Sequence, residues 1–168
     1  MSNENKTVRN LKDAFAGESQ ANRKYLAFAK QADKEGFAQV AKLFRAAAEA
    51  ETIHAHSHLR VLNGVASTRE NLVEAIAGET HEFQSMYPQM IIDAEQEGVA
   101  DALRSFKFAN AVEAVHAGLY QAALDSLGSG VDAFDYFICP VCGHTVEREA
   151  PERCEVCGAA GRVFFVVQ

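Results

Sequence analysis

The sequence predicts an all-α four-helix bundle over residues 1–130, followed by a small β-rich metal domain over residues 131–168. Three observations carry that prediction. Up to Leu127 the chain reads as four long segments in which apolar side chains return every three or four positions. Those segments fall into two similar halves about 62 residues apart. Beyond Leu127 the composition turns to glycine, to aromatic and β-branched runs, and to two Cys-x-x-Cys pairs.

The first helix is expected over residues 7–35, where Leu11, Phe15, Tyr25, Phe28 and Ala32 form one stripe and Gly36 supplies a stop. Glu18 lies within that stripe rather than opposite it. The second is expected over residues 37–62, ended by Asn63-Gly64, with Leu43, Phe44 and Ile53 at core-like spacing. The third begins at Ser67-Thr68-Arg69-Glu70, which has the Ser-x-x-Glu spacing of a capping box. It runs to residue 97, with a kink expected at Pro88 because proline has no N–H to give. The fourth covers residues 99–127. Two short turns and one longer crossover between four long helices describe a bundle.

The chemistry lies in the repeat. Glu51-Thr52-Ile53-His54 and Glu113-Ala114-Val115-His116 each set a carboxylate and an imidazole three residues apart, on one helix face. Gly17-Glu18 precedes the first of these, and Gly78-Glu79 precedes the second at an interval only one position longer. Superposing the halves turns Glu18, Glu51, His54, Glu79, Glu113 and His116 toward a common centre. Four carboxylates and two imidazoles in a dry core could not all hold charge without cations. Di-iron and di-manganese bundles use this ligand set, and carboxylate-rich coordination suits iron or manganese better than copper.

Glu82, three after Glu79, breaks the duplication, since its counterpart is Ala21. It is a seventh candidate ligand, or else an acceptor behind one. His58, four after His54, is within reach of the site, whereas His56 and His81 lie off the ligand face. Tyr25 and Tyr87 either direct a phenol toward a ligand or pack in the core.

Gly128-Ser129-Gly130 reads as a hinge. Residues 134–138 and 163–167 alternate as strands do, and enclose Cys139-Pro140-Val141-Cys142-Gly143 and Cys154-Glu155-Val156-Cys157-Gly158. Two such knuckles, eleven residues apart, present four thiolates to one metal. The spacing alone does not separate zinc from iron. A module of about forty residues has little core, so metal must supply much of its folding energy.

A net charge of −7 disfavours nucleic acid or an anionic membrane as partner. Met1-Ser2-Asn3-Glu4-Asn5-Lys6 has no apolar signal-peptide core, and no run reaches membrane-spanning length. A cytoplasmic location is the expectation, where paired cysteines mean metal before disulfides.

As a whole these residues resemble the rubrerythrin family. The resemblance rests on Gly17-Glu18-Ser19-Gln20-Ala21, Glu51-x-x-His54, Gly78-Glu79-x-x-Glu82, Met86-Tyr87-Pro88, Glu113-x-x-His116 and the C-terminal knuckles. It implies a ferritin-like bundle with a rubredoxin-like domain, holding two irons in the bundle and one iron on Cys139, Cys142, Cys154 and Cys157. By that likeness Glu51 and Glu113 bridge two irons, Glu18 is terminal on one, and Glu79 with His116 on the other. Glu82 and His54 are alternative ligands of the first iron, the carboxylate when oxidised and the imidazole when reduced. Tyr25 and Tyr87 match tyrosines that hydrogen-bond around the site. Glu155 departs from the pattern, because rubredoxin-type second knuckles usually have proline there.

The implied activity is a non-haem di-iron peroxidase that reduces hydrogen peroxide to water in oxidative-stress defence. Electrons would enter through the four-cysteine iron from a rubredoxin or an NAD(P)H-dependent reductase, in a homodimer or higher homo-oligomer. The alternatives are a ferritin-like ferroxidase handling iron, and a zinc-ribbon interaction module on a metal-free bundle.

Overall fold

The structure, a computed structural model, describes residues 5–130 and 132–167. Residues 1–4, part of the stretch expected to carry no signal peptide, and Val131 lie outside the described residues. The chain divides after Ala66 into two units.

The first unit is a hairpin of α1 (Lys6–Lys34) and α2 (Ala38–Val61). Asn5 caps α1 by accepting from the Thr7 N–H at 3.0 Å. The turn passes through Gly36 at φ 85, a conformation that costs glycine little. Ala29 and Ala32 of α1 and Ala41, Ala48 and Ala55 of α2 are buried. The three α2 alanines recur once per heptad, a seam of small side chains that lets two helices approach closely. One polar link crosses the seam: Asn22 Nδ2 donates to the Ala48 carbonyl at 2.7 Å and to Thr52 Oγ1 at 2.8 Å. Arg45 pairs with Asp33 at 2.7 Å across the far end of the hairpin. Leu43 and Ile53, expected in the core, are both 66% exposed. Each lies two positions from a seam alanine, and two positions turn a helix by about 200°, onto its other side.

The second unit opens with α3 (Thr68–His81), where the expected capping box forms. The Ser67 side chain accepts from the Glu70 N–H, while the Glu70 carboxylate accepts from the Ser67 N–H at 3.0 Å. The helix is interrupted ahead of Pro88. It widens before it, into a π-helical turn over Glu82–Met86, and resumes as α4 (Tyr87–Glu97) with Pro88 in its first turn. The Tyr87 N–H reaches back to the Glu82 carbonyl, one position further than in an α-helix. That wider turn gives the proline ring room at the point where a donor is missing.

The same turn explains the unequal repeat. The interval from Glu79 to Gly98 is one position longer than that from Glu18 to Gly36, whereas Gly36 to Glu51 and Gly98 to Glu113 are equal. The extra residue therefore falls inside the third helical stretch, and a π-turn is how a helix absorbs one residue and continues in register beyond it. Tyr25 and Tyr87 consequently occupy matching places. Gly98, at φ 71, leads into α5 (Ala100–Asp125). Lys107 pairs with Glu95 at 2.8 Å, the second half's counterpart of Arg45 with Asp33.

The chain ends in a three-stranded antiparallel sheet, ordered β2-β1-β3, of β1 (Tyr136–Ile138), β2 (Thr145–Glu147) and β3 (Phe165–Val167). Phe137 faces Val146 on one side and Val166 on the other. The two expected strands are present but shorter, with a 3₁₀ turn over Gly161–Val163. β2 has no sequence signal of its own; it is fixed by pairing. Four helical stretches and a small C-terminal sheet are thus the architecture the sequence predicts.

Candidate metal centres

Three clusters of metal-binding side chains form among the described residues, and all three contain predicted ligands. In the first unit, ligand atoms of Glu18, Glu51 and His54 lie within 4.8 Å of one another. The two helices of the hairpin supply Glu18 from one side and Glu51 and His54 from the other. His54 Nδ1 is 3.2 Å from Glu51 Oε2. The hydrogen bond between Glu18 and Glu51 raises the Glu18 pKa and lowers that of Glu51. This cluster is wetter than a dry core would be, with the His54 side chain 56% exposed. Tyr25 packs with Phe28 and Phe44 at ring distances of 6.3 and 6.2 Å.

The second unit repeats the arrangement. Ligand atoms of Glu79, Glu113 and His116 converge within 4.8 Å. His116 Nδ1 lies 2.8 Å from Glu113 Oε2 and 3.7 Å from Glu79 Oε1. These groups are better shielded, their side chains 17–28% exposed. Burial, a hydrogen bond with Glu113 and the charges of Glu113 and Glu82 push the Glu79 pKa up to about 7. Glu82 is not in the compact triad, but its charge acts on Glu79 and on Tyr87. Tyr87 packs on Phe106, and burial together with the three carboxylates raises its phenol above the usual range. His56 and His81 are exposed, as expected of positions off the ligand face.

In each half two carboxyls are close enough to share a proton beside an imidazole. Such a pair holds net charge poorly unless a cation takes the proton's place. Hard oxygen donors with one imidazole fit ferrous or ferric iron.

The third cluster is Cys139, Cys142, Cys154 and Cys157. Cys139 and Cys157 sulfurs are 3.6 Å apart, and those of Cys142 and Cys154 3.5 Å. Gly143 and Gly158 take φ 83 and 75, which closes each knuckle. Burial and the neighbouring thiols push Cys142 up, against the pull of the His144 N–H. Burial also acts to raise Cys154, but N–H groups of Cys157 and Val156 aimed at its sulfur bring it down to about 7. N–H groups directed at sulfur stabilise thiolates, the form that binds metal.

One contact escaped sequence reasoning. Thr145 Oγ1 on β2 lies 3.0 Å from His116 Nε2 on α5, joining distant parts of the chain with no motif to announce it.

The family model described as rubrerythrin matches residues 9–124, and that of the rubrerythrin rubredoxin-like domain matches residues 137–165. The chain belongs to the rubrerythrin family. Among its relatives, rubrerythrin-2 of Clostridium acetobutylicum is 35% identical, over 88% of this chain and 89% of its own length. Nigerythrin of Nitratidesulfovibrio vulgaris is 36% identical, over 90% of this chain and 81% of its own length. A solved structure of nigerythrin in a mixed-valence state covers 99% of this chain and 92% of its own, with 34% identity and a TM-score of 0.59. Another holds nigerythrin fully reduced, all ferrous, with a TM-score of 0.58. Rubrerythrins are iron oxidoreductases with a di-iron site and a four-cysteine iron, and this chain carries donors for two irons and one iron. No helix among the described residues is long and apolar enough to cross a membrane.

Proposed function

We propose that this rubrerythrin is a peroxidase that converts hydrogen peroxide and two protons to two waters, consuming two electrons. The observation that carries the reading is the repeated triad, Glu18, Glu51, His54 and Glu79, Glu113, His116, in a chain that also has a four-cysteine cluster. With Glu82 these are the proposed ligands of a di-iron site, and Cys139, Cys142, Cys154 and Cys157 those of the single iron. A ferrous pair, when bound, would supply both electrons and polarise the peroxide.

The chain's own groups have defined tasks. Glu79, its pKa raised to about 7, would give up its proton to bind metal, and Glu18 would bind as its carboxylate. Glu82 and His54 are the two groups proposed to exchange, matching a hard carboxylate to the oxidised state and an imidazole to the reduced one. The Tyr87 phenol, held protonated, can donate a hydrogen bond toward the carboxylates, and Tyr25 is proposed for the same role. Cys139, Cys142, Cys154 and Cys157 would hold an iron that could relay electrons one at a time from a rubredoxin or an NAD(P)H-dependent reductase. Domain limits of 1–130 and 131–168, a cytoplasmic homodimer or higher homo-oligomer, and no nucleic-acid or membrane partner complete the reading.

Anaerobic reduction followed by stoichiometric peroxide tests it. Rapid reoxidation, with oxygen much slower, is expected; the reverse order would favour a ferroxidase. Replacing Cys142 should abolish steady-state turnover from a reduced donor. Undiminished turnover would refute electron entry through the cysteine iron.

A further inference from the structure

The His116 ring is engaged on both edges. Its Nδ1 faces Glu113 Oε2 at 2.8 Å and Glu79 Oε1 at 3.7 Å, and its Nε2 lies 3.0 Å from Thr145 Oγ1 on β2. A threonine hydroxyl has one proton to donate. Thr145 gives its proton to the Gly143 carbonyl at 3.2 Å. Toward His116 the oxygen can then accept, from an Nε2–H of the ring. A neutral imidazole protonated there has its lone pair on Nδ1, the edge a metal held by the two carboxylates would use.

We propose that Thr145 is a positioning residue for the iron site, holding His116 in the Nε2–H tautomer and fixing the ring so that Nδ1 is presented to metal. The inference rests on reading His116 as an iron ligand. Its second consequence is a link between the two kinds of centre. The carbonyl that takes the Thr145 proton belongs to Gly143, which follows Cys142, so the knuckle that would hold the cysteine iron also sets the imidazole. Thr145 and His116 line an apolar cleft of about 380 Å³ with Leu72, Leu119 and Ile138, where few groups compete for the hydroxyl.

Thr145→Val removes the hydroxyl and keeps the shape; Thr145→Ser keeps the hydroxyl. Ferrous affinity of the full chain, with its cysteine iron in place, is measured by competition with a chelator. Losing the partner of a ligating histidine should weaken binding about 10–100-fold in Thr145→Val. Thr145→Ser should restore it, while the visible absorption of the cysteine iron stays the same in both. In the all-ferrous protein, the His116 Nε2–H proton resonance should exchange with water faster in Thr145→Val than in wild type. Wild-type affinity in Thr145→Val, or equal weakness in both variants, would overturn the proposal. A wild-type chain that binds no iron beyond the cysteine site would overturn the underlying reading of His116 instead.

Discussion

Glu79, a proposed ligand, carries its signature in its own titration. Its folded-state pKa of about 7 stands above the ordinary 4.5, so the metal-free fold binds this proton more tightly than the unfolded chain does. Its contribution to stability is fully present below about 4.5, and is lost as pH rises through about 7. Iron must displace the same proton. Ferrous affinity should therefore rise with pH by up to about tenfold per unit until about pH 7, then level off. Chelator competition at several pH values measures this, and Glu79→Gln should bind more weakly and lose that slope. At Asn22 the issue is structural. Its amide donates to the Ala48 carbonyl and to Thr52 across the alanine seam. Asn22→Ala should cost about 1 kcal/mol. Urea denaturation would show this as a lower midpoint with an unchanged slope.

At the scale of elements, the informative feature is the π-turn over Glu82–Met86. Because the added residue is absorbed there, Tyr87 stays in the place Tyr25 has in the first half, and Glu82 appears where the first half has alanine. Deleting the exposed Gln84 would make the interval from Glu79 to Gly98 equal to that from Glu18 to Gly36. The expected product is an uninterrupted α-helix with native helix content by circular dichroism. Its stability should fall by about 3 kcal/mol, because a regular α-helical turn brings the Pro88 ring against the carbonyl four residues back, and peroxide turnover should fall with it. Wild-type stability would mean that the wider turn does not serve the proline.

Across the whole molecule, the two kinds of centre differ in what they do for folding. The helices are long and pack within each unit, while the C-terminal strands have three residues each. Two of the cysteines and His144 are the buried side chains between residues 132 and 167. Folding of the sheet must therefore depend on its metal. Cys154→Ser should lose the cysteine iron and open the sheet to proteolysis. Helix content by circular dichroism should change little. Resistance of the sheet equal to wild type would show that the strands hold without metal.

The sequence by itself determined the repeat, the ligand types, the capping box at Ser67, the glycine turns and the cysteine knuckles. Each of these is written in local spacing, and spacing along a helix or around a turn is fixed by backbone geometry. It also contained the one-residue inequality between the halves, but not its form, a wider turn just ahead of Pro88. Leu43 and Ile53 looked like core because periodicity names a stripe without saying which stripe a neighbour covers. Only the tertiary structure decided that small alanines make the α1–α2 seam, that β2 exists, and that Thr145 meets His116. Those outcomes depend on groups far apart in the chain coming together, and a contact between a helix and a distant strand leaves no period to read.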